Sequence, residues 1–354
     1  MIRKKMKNNN KLNCIVILLI IISIFFVERN FDAYIIRILN LCAIYIILGV
    51  SLNLINGFTG QFSLGHAGFM AIGAYTSALL YMSPELKEVN YFITPLIWPL
   101  SVIHLPFVFS LIIAGLVSAG VGFLVGAPCL RLKGDYLAIV TFGFAEIIRV
   151  VFNNLQSVTN GPIGLKGLPT YTNLWWSWGI AVLTVLVVKN LVNSSYGRAL
   201  KSIRENESAA EAMGINLFFH KSLAFVVGAF FAGLGGALLA SLVMTIDPNT
   251  FSFLLTFQLI VIVIVGGLGS ITGTIISATI IAVLMELLRA VEAPMNIFGL
   301  HIPGIPGMRM LIFSILLMSV VLFFKKGLMG NKEWSWEGLF KKLFPRQREI
   351  KEGD

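Results

Sequence analysis

The chain has 354 residues, of which 57% are hydrophobic and 12% charged, with a mean hydropathy of +0.86 and a net charge of +10. Soluble domains sit near half apolar with about a quarter of their residues charged, so this chain lacks the polar surface a water-soluble fold requires. The composition reads as an all-α, polytopic transmembrane helix bundle, and the continuous rather than alternating apolar runs argue against a β-barrel. On a soluble chain the positive charge would suggest nucleic acid. Here it matches the lysine and arginine excess of cytoplasmic loops, so the expected surroundings are membrane lipid, with no nucleic-acid partner.

A span needs about 20 apolar residues. Ten stretches qualify in chain order: 14–28, 35–55, 64–82, 106–127, 136–153, 174–191, 222–243, 253–268, 272–290 and 307–324. The first, after "MIRKKMKNNNK", has the form of a signal peptide, but "VERNFDAY" offers no small-residue cleavage site, and a retained helix is expected. Ten spans put both termini on one side. With both in the cytoplasm, the inward segments 1–13, 128–135, 189–221 and 325–354 hold 20 of the 27 lysines and arginines, the bias of the positive-inside rule. All six tryptophans fall at expected interfaces, where an aromatic belt belongs. Residues 1–330 are expected to form one transmembrane domain, with a cytoplasmic loop at about 193–221. Residues 331–354 form a basic cytoplasmic tail, either lying on the membrane through Trp336, Phe340 and Phe344 or solvated. Cys14, Cys42 and Cys129 sit in or beside apolar runs without CxxC spacing and read as small buried hydrophobes.

Between spans six and seven lies a charged, alanine-rich insert, "SIRENESAAEAMGINLFFHKS" from Ser202 to Ser222. Ser202 followed by Glu205 matches a capping box. Arg204 and Glu207 are spaced to pair at i,i+3. Ala209, Ala210, Ala212 and Met213 favour helix and offer a small apolar face, and Gly214 suits the residue just past a helix end. This predicts one short amphipathic cytoplasmic helix. It reads either as a solvated linker or as a helix laid into a partner's groove.

"ENESAAEAMGIN" (Glu205–Asn216) resembles the coupling loop of bacterial ABC-importer permeases. "LNLINGFTGQFSLGHAGFMAIGAYTSALL" (Leu52–Leu80), "LRLKGDYLAIVTFGFAEIIRVVFNN" (Leu130–Asn154), "TNGPIGLKGLP" (Thr159–Pro169), "SYGRALKSIRENESAAEAMGI" (Ser195–Ile215) and "VIVIVGGLGSITGTIISA" (Val261–Ala278) resemble LivM-type permeases of branched-chain amino acid importers. The resemblance covers most of residues 40–325. It implies a bacterial cytoplasmic-membrane protein without cofactor or catalytic role. The implied partners are a second permease of the LivH type, two ATPase subunits, an extracytoplasmic binding protein and a small amino-acid substrate. The insert would be the ATPase-coupling element, with Arg204, Glu207, Ala209, Ala210, Met213 and Gly214 as its residues and Ala209, Ala210 and Gly214 at the docking face. The chain contains no GxxxxGK[ST] phosphate loop, so ATP hydrolysis would belong to other subunits.

Two glycine-rich stretches, Asn56–Tyr75 and Gly266–Thr274, each begin a span. They read either as close helix packing through small residues or as discontinuous helices lining a substrate path, with free backbone groups facing a cavity. The path reading nominates Gly60, Gln61, Ser63, Gly65, His66, Gly68, Glu146, Gly266, Gly267 and Gly269. His66 alone reads as a packed, hydrogen-bonded residue, with no metal site around it. Glu146–Arg149 and Glu286–Arg289 share i,i+3 spacing inside spans. The second pair reads as self-neutralising. The first stays open between that, a polar stripe beside the path and a cross-helix brace. The expected function is import of leucine, isoleucine and valine driven by ATP. Import of urea, short amides or another amino acid, and transport driven by an ion gradient, are the alternatives.

Overall fold

The computed structural model describes residues 21–132, 134–289, 292, 295–297, 300–302, 307–323, 327–330 and 333. Helix α1 covers 21–30, followed by α2 (Ala33–Asn53), α3 (His66–Tyr81), α4 (Pro84–Asn90), α5 (Phe107–Cys129), α6 (Asp135–Asn154) and α7 (Gln156–Thr159). Then come α8 (Leu174–Asn193), α9 (Ser195–Glu205), α10 (Glu207–Ala212), α11 (Leu217–Val243), α12 (Phe253–Gly266), α13 (Ile271–Arg289) and α14 (Met308–Phe323). Two short antiparallel ribbons complete the description: β1 (Leu165–Lys166) with β2 (Thr245–Ile246), and β3 (Met295–Ile297) with β4 (Leu300–Ile302).

A helix lies on each of the ten apolar stretches, the first as far as it is described. Among the described residues, five segments are long and apolar enough to cross a membrane: Ala33–Phe58, Phe107–Cys129, Leu174–Asn193, Leu217–Val243 and Ile271–Arg289. Helix α12 is apolar but shorter, α3 has 16 residues, and α6 carries Glu146 and Arg149 along its length. The predicted tail helix around Trp336 lies outside the described residues.

Helix α11 is the centre of the bundle. It packs against α3 and α5 on one side and α2 on the other, and α2 in turn carries α8, α12 and α13. Small residues permit this. A methyl group added at Gly73 would lie 2.2 Å from the Gly233 carbonyl oxygen, and one at Gly236 would lie 2.1 Å from that of Met70. The α3 and α11 backbones therefore touch, with no room for side chains between them. This is the close-packing reading of the first glycine-rich stretch, in its helical half.

At the end of the bundle away from α9 and α10, the loops form one surface. Lys87 is buried and its Nζ donates to the carbonyls of Leu100 (2.8 Å) and Ile103 (2.5 Å). Asn90 exchanges hydrogen bonds with the Lys166 backbone (2.8 and 3.0 Å), and the Tyr91 hydroxyl donates to the Val158 carbonyl. The segments 83–105 and 154–173 are thereby joined.

Candidate functional site: the insert and two helix breaks

The first break lies between α2 and α3. Helix α2 runs into a π-helical turn at Leu54–Phe58, and residues 59–65 are irregular before α3 begins. Irregular backbone inside a bundle needs partners for its polar groups, and side chains supply them. The Asn56 carboxamide accepts from Ser63 N (3.1 Å) and donates to Ser63 O (3.4 Å). Leu64 N donates to Thr141 Oγ1 of α6 (3.0 Å), and Ala67 N to Thr256 Oγ1 of α12 (3.1 Å). The alternative of free backbone groups facing a cavity is not met at these positions: Asn56 and threonines of two neighbouring helices bond them. Gly65 and Gly68 are where α6 comes closest, against Thr141 O and Ala145 Cα. His66 is buried and its Nε2 lies 2.9 Å from Ser51 Oγ, the packed role expected of it. Gln61 is different. It is buried, and neither polar atom of its carboxamide has a hydrogen-bond partner among the described residues.

The second break separates α12 from α13 at residues 267–270. Gly267 and Gly269 turn the chain with φ of +106° and +82°, in the left-handed region that favours glycine. Gly266 packs directly on Gly273, since a methyl on Gly273 would lie 2.0 Å from the Gly266 carbonyl oxygen. The two breaks are held together by Asn53. Its Oδ1 accepts from Gly269 N (2.9 Å), and its Nδ2 donates to Ser270 O (3.0 Å) and Thr274 Oγ1 (2.7 Å). Glu333 accepts from Ile271 N (2.6 Å) and Thr272 Oγ1 (3.1 Å), capping α13.

The insert folds as two helices where one was expected. Asn206 breaks the chain, and its Oδ1 accepts from Ala209 N (3.0 Å), so Asn206 rather than Ser202 is the cap. Ser202 sits inside α9 and donates to Ala199 O (2.8 Å). The predicted Arg204–Glu207 pair does not form, because the break turns the two residues apart. Arg204 pairs with Glu205 (2.6 Å), and Glu207 with Lys221 of α11 (2.5 Å). Gly214 ends α10 as expected. Its φ is +80°, its N–H reaches Glu211 O (2.9 Å), and Ile215 N reaches Ala210 O (3.1 Å), the paired bonds of a Schellman ending. Ala209, Met213 and Gly214 are exposed, Met213 at 83%. Ala210 is buried against the protein, so its expected place on an outward docking face is corrected.

Glu146 forms its ion pair with Arg149 (2.6 Å), and Arg149 Nη1 also donates to Asn249 Oδ1 in the 248–251 turn (3.3 Å). The pair is therefore both locally neutral and a tie between segments. Glu286 and Arg289 lie 3.4 Å apart. The breaks, Arg204 and Glu333 come together at one end of the bundle around a cavity of about 350 Å³, which Phe58, Lys189, Lys201 and Thr272 also line. Asn53, Thr141 and Thr256 were missed in the sequence. The one available signal was a polar residue inside an apolar run.

The architecture defines an all-α membrane protein whose broken helices meet beside the charged insert. Residues 34–322 match the family described as branched-chain amino acid transport system / permease component, and the chain belongs to that family. It is 35% identical over 286 residues to the high-affinity branched-chain amino acid transport system permease protein LivM of Escherichia coli, covering 71% of this chain and 63% of that protein. It is 26% identical over 317 residues to the probable LivM permease of Methanocaldococcus jannaschii, covering 82% and 91%. It is 22% identical over 286 residues to the LivH permease protein of E. coli, covering 75% and 87%. The match thus spans a little under two thirds of the length of the E. coli LivM protein. No solved structure matches.

Proposed function

We propose that this chain is the LivM-type permease subunit of an ATP-driven importer for leucine, isoleucine and valine in the bacterial cytoplasmic membrane. The observation that carries the proposal is the family match across residues 34–322. In this reading the chain crosses the membrane ten times with both termini in the cytoplasm, in keeping with its lysine and arginine distribution. A LivH-type permease forms the other half of the path, two ATPase subunits bind from the cytoplasm, and an extracytoplasmic binding protein delivers the amino acid. The loops at 83–105 and 154–173 are its landing surface.

The insert is the ATPase-docking element. Supporting this, Ala209, Met213 and Gly214 face outward beside a shallow depression lined by Glu211, Gly214, Ile215, Asn216, Leu217 and Phe218. Arg204, Glu207 and Ala210 face inward and transmit. Within the path, Gln61 is the residue assigned to the substrate, because a buried carboxamide with no partner among the described residues is costly to leave empty. The other path residues shape the breaks.

The test is affinity purification from the native membrane, with wild type and Ala209→Arg compared. Ala209 is exposed and helical, so arginine there leaves the fold intact. ATPase subunits are expected with wild type and lost from the variant. In vesicles, unlabelled valine and isoleucine are expected to suppress uptake of labelled leucine, and urea is not. Wild type purified gently without ATPase subunits, or uptake indifferent to ATP, counts decisively against the proposal.

A further inference from the structure

One side chain of the insert touches both helix breaks. Arg204 is the second-last residue of α9. Its Nη1 donates to the Gly57 carbonyl at 3.1 Å. A methyl on Gly60 would lie 2.8 Å from Arg204 Cγ, and one on Gly269 would lie 2.8 Å from Arg204 Nη1. The Nε and Nη2 edge of the guanidinium is held by Glu205 Oε1 at 3.1 and 2.6 Å. That leaves the planar group one orientation, with Nη1 directed between the breaks. The breaks also meet each other, since a methyl on Gly57 would lie 2.4 Å from Gly269 N. The glycines at 57, 60 and 269 therefore form a seat that any side chain would fill.

We propose that Arg204 is the positioning residue that carries movement of the insert into both breaks at once, so that the joined ends of α2–α3 and α12–α13 shift as one body. This rests on the reading of the insert as the ATPase-docking element and says what that element acts upon. The physical basis is threefold. Arg204 is anchored in α9, which continues directly into the break at Asn206 and then α10. Its fork holds Glu205 and the Gly57 carbonyl simultaneously, which a lysine ammonium on a flexible stem cannot do in one fixed plane. The breaks are held by side chains rather than by continuous helical bonds, so they are where two packed arrangements can interchange.

The test uses the complete transporter in liposomes, with ATP hydrolysis and labelled leucine uptake measured in the same sample. Wild type is compared with Arg204→Met, Arg204→Lys and Glu205→Gln. The expected result is that Arg204→Met keeps its ATPase subunits and its hydrolysis rate, while leucine moved per ATP falls about tenfold, within the roughly 5- to 150-fold span of couplings between sites. Arg204→Lys falls less, and Glu205→Gln falls by a few-fold. An unchanged ratio in Arg204→Met overturns the proposal. Loss of ATPase subunits from folded Arg204→Met also overturns it, because Arg204 would then belong to the docking face. If Arg204→Met does not fold, Glu205→Gln decides alone, since that carboxylate is 72% exposed and its loss leaves the core untouched; an unchanged ratio there is a refutation. The docking reading fails by a different sign, retention of ATPase subunits by Ala209→Arg. ATP-independent uptake by wild type removes both.

Discussion

Asn53 joins three elements with a single carboxamide: the end of α2, the second break and the first turn of α13. Its loss leaves the part-buried Gly269 N–H without its partner, while Ser270 O keeps the bonds from Thr274 N and Oγ1. Asn53→Ala is expected to lower the unfolding free energy by roughly 1–3 kcal/mol, read by denaturant titration in detergent. Glycines are equally specific. Gly73→Ala places a methyl 2.2 Å from a backbone oxygen of α11, which no rotamer relieves. Gly143, in α6, has open space where the methyl would go, and Gly143→Ala is expected to stabilise by up to about 1 kcal/mol through helix propensity. Opposite shifts in melting temperature for these two variants are the check; equal shifts would contradict the contact described. In the sequence the two glycines look alike. Which one touches a neighbouring backbone depends on α11, about 160 positions further along.

At the scale of elements, the caps decide where helices stop. Asn173, Asn206 and Asn216 each accept a backbone N–H three residues on, at 3.0 Å. Asn206→Ala is expected to cost about 1 kcal/mol of local stability and to raise amide exchange through 207–212 without changing exchange in α11. Helix positions were legible in the sequence, because apolar length and end signals are local. The capping box expected at Ser202 does not form, for a related reason. Its spacing is correct, but α9 already runs through it from Ser195, where Leu200 and Ile203 bury against the bundle and hold the helix in place. Lys87 gives the same lesson in α4. Its sequence context is that of an exposed loop lysine, yet it is buried against two carbonyls, and burial holds its pKa below the ordinary 10.5. Between that lowered value and 10.5 the unfolded chain binds the extra proton, so stability rises with pH in this window and the cost of the buried charge persists in full below it. Wild type is expected to gain thermal stability as the pH rises through that window. Lys87→Met, which has no proton to lose, is not.

For the whole molecule, the arrangement of α11 between the α3–α5 and α2–α12–α13 groups places both breaks at the end that carries the insert. The opposite end gathers 83–105 and 154–173 into one surface through Asn90, Tyr91 and Lys166. The sequence by itself determined the class of protein and the positions of its helices, because hydropathy and helix periodicity are local properties that a membrane enforces segment by segment. Its motifs also sufficed to place it in a permease family. Only the tertiary structure decided the directions of the key side chains: Arg204 inward to the breaks, Ala210 inward to the bundle, Asn53 across to α13. Those contacts join residues 77 to 221 positions apart where the breaks are saturated, and 147 apart where Arg204 meets Gly57. A polar group in an apolar environment takes the nearest partner in space, and nearness in space is a property of the packed bundle rather than of the chain.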